Sequence, residues 1–108
     1  MQIPLQVTMK DMPQSQAVES RIREKVDKLH HFYDRIMGCR VVVESPQQRQ
    51  HQGKLYTVRI DLTVPGAELV ANRAQDEDVY VAIRDAFSAI TRQLEEFARR
   101  SRGEVKSH

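Results

Sequence analysis

Apolar residues recur along this chain with two periods, and the switches between the periods outline six elements. Ile3, Leu5, Val7 and Met9 alternate with Gln2, Gln6 and Thr8, a period of two that predicts a half-buried strand over residues 2–9. Pro4 places it at a sheet edge or at its own first position. After Asp11, Met12 and Pro13 the period changes: Val18, Ile22, Val26, Leu29 and Phe32 recur in steps of three and four. This predicts a helix with Ser15 as its N-cap and an end between His31 and Asp34. Residues 39–44 are β-branched and nearly continuous, with Val41 and Val43 sharing a face, as in a central strand.

Residues 55–64 give the clearest strand. Tyr56, Val58, Ile60, Leu62 and Val64 alternate with Thr57, Arg59, Asp61 and Thr63, so one side is core and the other is wet. Pro65 and Gly66 then turn the chain into a strand over about residues 68–73, making a hairpin. The polar, glutamine-rich residues 45–54 are expected to be a mobile connection. In the last third, Val79, Ile83, Ala86, Ile90, Leu94 and Phe97 form one helical stripe. Arg92, Arg99 and Ser88 fall nearly opposite it, with Arg84 and Arg102 on one flank and Glu95 between them. Asp76, Glu77 and Asp78 at the start, and Arg99, Arg100 and Arg102 just before Gly103, suit the two ends of a helix dipole.

The order βαβββα implies an α+β fold. A strand, a helix and a strand favour a right-handed crossover within one sheet, and the meander that follows extends it. Each helix has a single apolar stripe, so both are expected on one face of a four-stranded mixed sheet.

The 108 residues fit one domain over residues 1–103 with a flexible tail at 104–108. No apolar run of about 18 residues and no charged-then-apolar leader is present, so neither a membrane span nor a secretory signal is expected, and the protein is expected to be cytoplasmic. Seventeen basic against fifteen acidic residues leave a charge of +2, too balanced to steer a polyanion at long range. A nucleic-acid footprint has to come from local clusters. Arg21, Lys25 and Lys28 form one such strip on the first helix; the alternative is a solvated face in which Glu24 pairs with Lys28 and Glu19 with Arg23. Arg92, Arg99, Arg100 and Arg102 suit phosphate contact or the helix dipole equally. Arg84, one turn after Tyr80, either extends toward RNA or covers the tyrosine ring. Tyr80 fits the core rim better than a base-stacking role, and Phe32 and Tyr33 read as anchors of the helix exit.

Other chemistry finds little support. Cys39 has no cysteine or histidine at metal-binding spacing and reads as a buried apolar residue. His30, His31, His51 and His108 form no ligand set, and Gly38, Gly53, Gly66 and Gly103 form no phosphate-cradling loop. Asp34 with Arg35 reads as an ion pair or cap. No catalytic residues, metal or cofactor are expected.

Two segments nevertheless resemble a known family. Lys25, Lys28, Leu29 and Phe32-Tyr33-Asp34-Arg35-Ile36 are similar to the exit from the first helix in the ribosome hibernation-promoting factor and protein Y family, which includes the sigma-54 modulation proteins. Asp78-Val79-Tyr80-Val81-Ala82-Ile83 with Arg92-Gln93-Leu94 is similar to that family's last helix. The resemblance spans nearly the whole chain in element order. It implies a translation inhibitor of stationary phase or stress that lies in the messenger and transfer RNA channel of the 30S subunit. The 16S rRNA would be its partner, with no small-molecule substrate and a monomeric state off the ribosome. It also implies that Lys25, Lys28 and Arg92 contact rRNA; Arg84, Arg99, Arg100 and Arg102 are further candidates from their helix placement, as is Arg21, whose position is not basic in relatives. Glu19, Glu44, Ala89 and Glu96 stand where relatives carry basic residues, so the basic surface is thinner than the family's. The ending at His108 resembles the short form, without the long form's dimerisation domain, and fits a short native tail or a truncation alike. The competing expectations are a transcription modulator, for which no recognition helix of known type is present, and a protein adaptor using the polar face of Thr57, Arg59, Asp61 and Thr63.

Overall fold

A computed structural model describes residues 3–45 and 55–101, apart from the side chain of Arg73. The connection expected to be mobile, Arg102 and the tail at 104–108 lie outside the described residues, Ser45 excepted. The elements are β1 (Leu5–Lys10), α1 (Gln16–Phe32), β2 (Gly38–Glu44), β3 (Tyr56–Val64), β4 (Ala67–Asp76) and α2 (Val79–Ser101). The sheet order is β1-β2-β3-β4, with β1 parallel to β2 and the remaining pairs antiparallel. This is the mixed four-stranded sheet that the element order implies, and β1, with Pro4 before it, is an edge strand.

Register explains the core. Val7, Val41, Ile60 and Ala71 line up across the four strands, as do Leu5, Cys39, Leu62 and Leu69. Because strand side chains alternate between faces, these rows put the apolar set on one side of the sheet. Val18, Ile22, Val26 and Leu29 of α1 and Ala82, Ile83, Ala86, Phe87, Ile90 and Leu94 of α2 join that same core. The opposite side carries Gln6, Arg40, Asp61 and Val70 in one row, with Arg59 in the next, and neither described helix covers it.

Local chemistry sets the element ends. The Ser15 hydroxyl accepts from the Val18 N–H at 3.2 Å, as an N-cap should. Asp78 does the same for α2, its carboxylate accepting from the Tyr80 N–H at 2.9 Å. Gly66 has a φ of +84°, the left-handed value required after Pro65 in a type II turn, so a side chain there would be strained even though the space is open.

Two boundaries differ from expectation. β1 starts at Leu5 because Ile3 and Pro4 only approach the sheet, the Pro4 carbonyl accepting from the Cys39 N–H at 3.0 Å. β4 continues past residue 73 to Asp76 because a bulge absorbs one extra residue: Ile60 faces Ala71, but Val58 faces Ala74. Pairing then resumes as far as Tyr56 opposite Asp76. No described helix is long and apolar enough to cross a membrane.

Candidate nucleic-acid interface

Arg21 of α1 lies beside Tyr80 near the start of α2, and Tyr33 packs edge-on against Phe97 near its end, with ring centroids 6.1 Å apart. The two helices therefore run in the same direction. Along their seam, small side chains at Ser88 and Thr91 leave a groove of about 390 Å³ lined by Lys25, Lys28, Leu29 and Phe32 from α1 and by Arg84, Phe87, Ser88, Thr91, Arg92 and Glu95 from α2. Leu29 and Phe87 are buried and form its floor. Four cations that are distant in sequence thus meet in one depression, opposed by a single lining carboxylate. A larger depression of about 430 Å³ along the β4 edge has Asp85 as its one ionisable lining side chain among those described. Chemistry, rather than size, singles out the seam.

The candidate cations fall into two groups. Arg84 is tied to Asp85 at 3.1 Å, Arg100 to Glu96 at 2.9 Å, and Arg21 to Glu24 at 3.7 Å. Arg21 also holds its guanidinium carbon 4.8 Å from the centre of the Tyr80 ring, a cation–π contact. Among the described residues, Lys25, Lys28, Arg92 and Arg99 take part in no ion pair. Arg99 is exposed near the end of α2 but does not line the groove. Lys25, Lys28 and Arg92 are thus the seam charges left uncompensated, and only such charges can neutralise an incoming phosphate without first breaking a native pair.

Several detailed expectations change. Glu24 pairs one turn back with Arg21 and not forward with Lys28, which is why Lys28 is free; the Glu19–Arg23 pair forms as expected at 3.3 Å. Tyr80 is covered by Arg21 from the other helix and not by Arg84. No ion pair joins Asp34 and Arg35 among the described residues, and both are exposed. Tyr33 anchors the helix exit through Phe97, but Phe32 does not, because it is 49% exposed. Its i, i+4 and i+7 relation to Lys28 and Lys25 carried a signal that it shares their face.

Gln93 has a role that spacing does not reveal. Its side-chain amide donates to the Val70 carbonyl at 2.7 Å, tying α2 to the exposed edge of β4. Within Arg92-Gln93-Leu94, then, one residue enters the groove, one closes the sheet edge and one enters the core. His31 donates from Nδ1 to the Asp27 carbonyl at 2.9 Å, and no metal-binding cluster occurs among the described residues. Burial, followed by the negative charge of Asp61, pushes the Cys39 thiol up from 9.0 to about 12, so it is protonated and unreactive near neutral pH.

Known proteins resemble this chain at three levels. The family described as "Sigma 54 modulation protein / S30EA ribosomal protein" matches residues 5–102. The ribosome hibernation promoting factor of Azotobacter vinelandii is 33% identical over 78 residues, which cover 72% of this chain and 66% of that relative, just under two thirds of its length. Among solved structures, a ribosomal subunit interface protein from Coxiella burnetii superimposes with a TM-score of 0.75 at 17% identity, covering 89% of this chain and 98% of the other. The protein Y N-terminal domain of Thermus thermophilus gives 0.73 at 21% identity, covering 90% and 99%. At these identities the structural likeness establishes the fold.

Proposed function

The chain belongs to the family of Sigma 54 modulation and S30EA ribosomal proteins, and from that premise we propose that it is a ribosome-associated hibernation factor. It binds the small subunit in the messenger and transfer RNA channel, with 16S rRNA as its direct partner, and represses translation under stress or in stationary phase. The observation that supports this reading is the convergence of Lys25, Lys28 and Arg92 in one groove, where they take part in no ion pair among the described residues. The name of the Azotobacter relative points to the same role. Phosphate contacts from the seam would position the domain, and its folded bulk would then exclude RNA from the channel.

Binding of this kind releases counterions, with a log-log salt slope of about −0.7 to −0.9 per neutralised phosphate. Lys25, Lys28 and Arg92 alone therefore predict a slope of about −2 to −3. Sucrose-gradient sedimentation of purified ribosomal subunits with this protein, blotted across a salt series, checks it. The chain is expected with the 30S fractions at low salt and free at high salt. Salt-insensitive association, or absence from those fractions at every salt concentration, contradicts the reading. The sigma-54 wording of the family description suggests a transcription role instead, and binding to a sigma factor without ribosome binding would favour it.

A further inference from the structure

The chain has six aromatic residues, three Phe and three Tyr, and five of them are occupied. Phe87 is buried, Tyr33 and Phe97 pack against each other, Tyr56 is packed against the core, and Tyr80 lies under the Arg21 guanidinium. Phe32 is the exception. It ends α1, is 49% exposed, and lines the same groove as the unpaired cations. Helical rise sets Lys28 and Lys25 about 6 and 10.5 Å behind it along the axis, and Arg92 stands on the facing wall. A half-exposed aromatic ring within a cationic groove is the arrangement that holds single strands, where cations track the backbone and a base stacks on the ring. A duplex cannot use it, because its bases are already stacked and paired and would have to be unstacked first.

We propose that Phe32 is a stacking platform for an unpaired nucleobase, so that the seam groove selects single-stranded RNA over duplex RNA. This rests on the groove being the RNA-binding site and adds which form of RNA it takes. The role of helix-exit anchor, the natural alternative for an aromatic at this position, is already filled by Tyr33 against Phe97.

The test uses the full chain and two fluorescently labelled RNAs, a 12-nucleotide single strand and a 12-base-pair duplex, followed by anisotropy at one fixed salt concentration. Wild type is expected to prefer the single strand. Phe32→Ala should weaken single-strand binding by about 5- to 150-fold, the range for removing one base stack, and leave duplex binding nearly unchanged. Phe32→Trp should retain the preference. Phe32→Leu, apolar but without a ring face, should lose it while keeping the wild-type melting temperature, which separates stacking from anchoring. Wild type that prefers duplex or fails to bind the single strand, or Phe32→Leu that binds it as wild type does, overturns the proposal. Lys28→Glu with Arg92→Glu separates the two layers of inference. If this double variant loses both RNAs while the Phe32 variants lose neither, the groove stands and the platform falls. If it binds both RNAs as wild type does, the groove itself is not the RNA site.

Discussion

The helical seam and the outer face of the sheet both carry arginines, yet they differ in what those arginines face. On the sheet, Arg59 and Arg40 converge on one carboxylate, that of Asp61, at 3.0 and 3.7 Å. Asp61 is itself largely covered, its side chain only 13% exposed. In the seam, Lys25, Lys28 and Arg92 converge on an open groove whose one lining carboxylate, Glu95, pairs with none of them among the described residues. Charge counting already separates them, four lining cations against one carboxylate in the seam and two arginines against one on the sheet. Pairing separates them further, because a paired arginine must give up its partner before it meets a phosphate.

Both surfaces rest on one layer of strand side chains, and substitution there should break both together. Ile60, fully buried in the middle of the sheet, should cost about 2–5 kcal/mol when changed to Ala. Chemical denaturation would measure this, and a loss confined to one surface would show that the two do not share a core. Cys39 comes next, since its thiol lies on the core side but feels Asp61 on the outer side. Its folded pKa of about 12 lies above the unfolded 9.0, so the folded state keeps a proton that the unfolded state releases. Its stabilising contribution is full below about pH 9 and is lost as pH rises toward 12, by a few kcal/mol at most. Wild type should therefore lose stability faster than Cys39→Ala across that window, and parallel pH–stability curves would refute the burial.

Much of the fold is legible in the chain because it depends on local pattern. Ser15 announces the first helix, the alternation from Tyr56 to Val64 announces the third strand, and Pro65-Gly66 announces the hairpin. Features set by the meeting of distant segments are not legible. Glu24 has a basic residue both three positions before it and four after, and only the placement of Tyr80 beside Arg21 explains which of them it takes. Nothing in the sequence of β4 announces its bulge, and the bond from Gln93 to Val70 spans 23 positions. The candidate site was half visible for the same reason: Lys25 and Lys28 share a helix face by spacing, but their meeting with Arg84 and Arg92, and the exposure of Phe32, follow from how the helices lie.

Smaller effects sharpen the contrast. Gly66→Ala forces a side chain into the left-handed region and should cost about 1–2 kcal/mol, seen as a lower melting temperature with RNA binding intact; unchanged stability would contradict the turn. Asp61→Asn removes the shared counterion of Arg40 and Arg59 and should raise the affinity of the sheet face for RNA by roughly two- to fivefold at low salt. Crosslinking should then appear at β2 and β3, and its absence would mean that pairing is not what silences that face.

The direct measurement of the central claim is a paired charge reversal. Small-subunit binding is compared for Lys28→Glu with Arg92→Glu and for Arg40→Glu with Arg59→Glu, both variants first shown to be folded. The seam variant should lose roughly 100-fold in affinity, about tenfold for each charge-assisted contact removed, along with its ability to inhibit translation, while the sheet variant binds and inhibits within a few-fold of wild type. Equal losses from the two variants, or a seam variant that still binds and inhibits normally, would contradict the assignment of function to the groove between the helices.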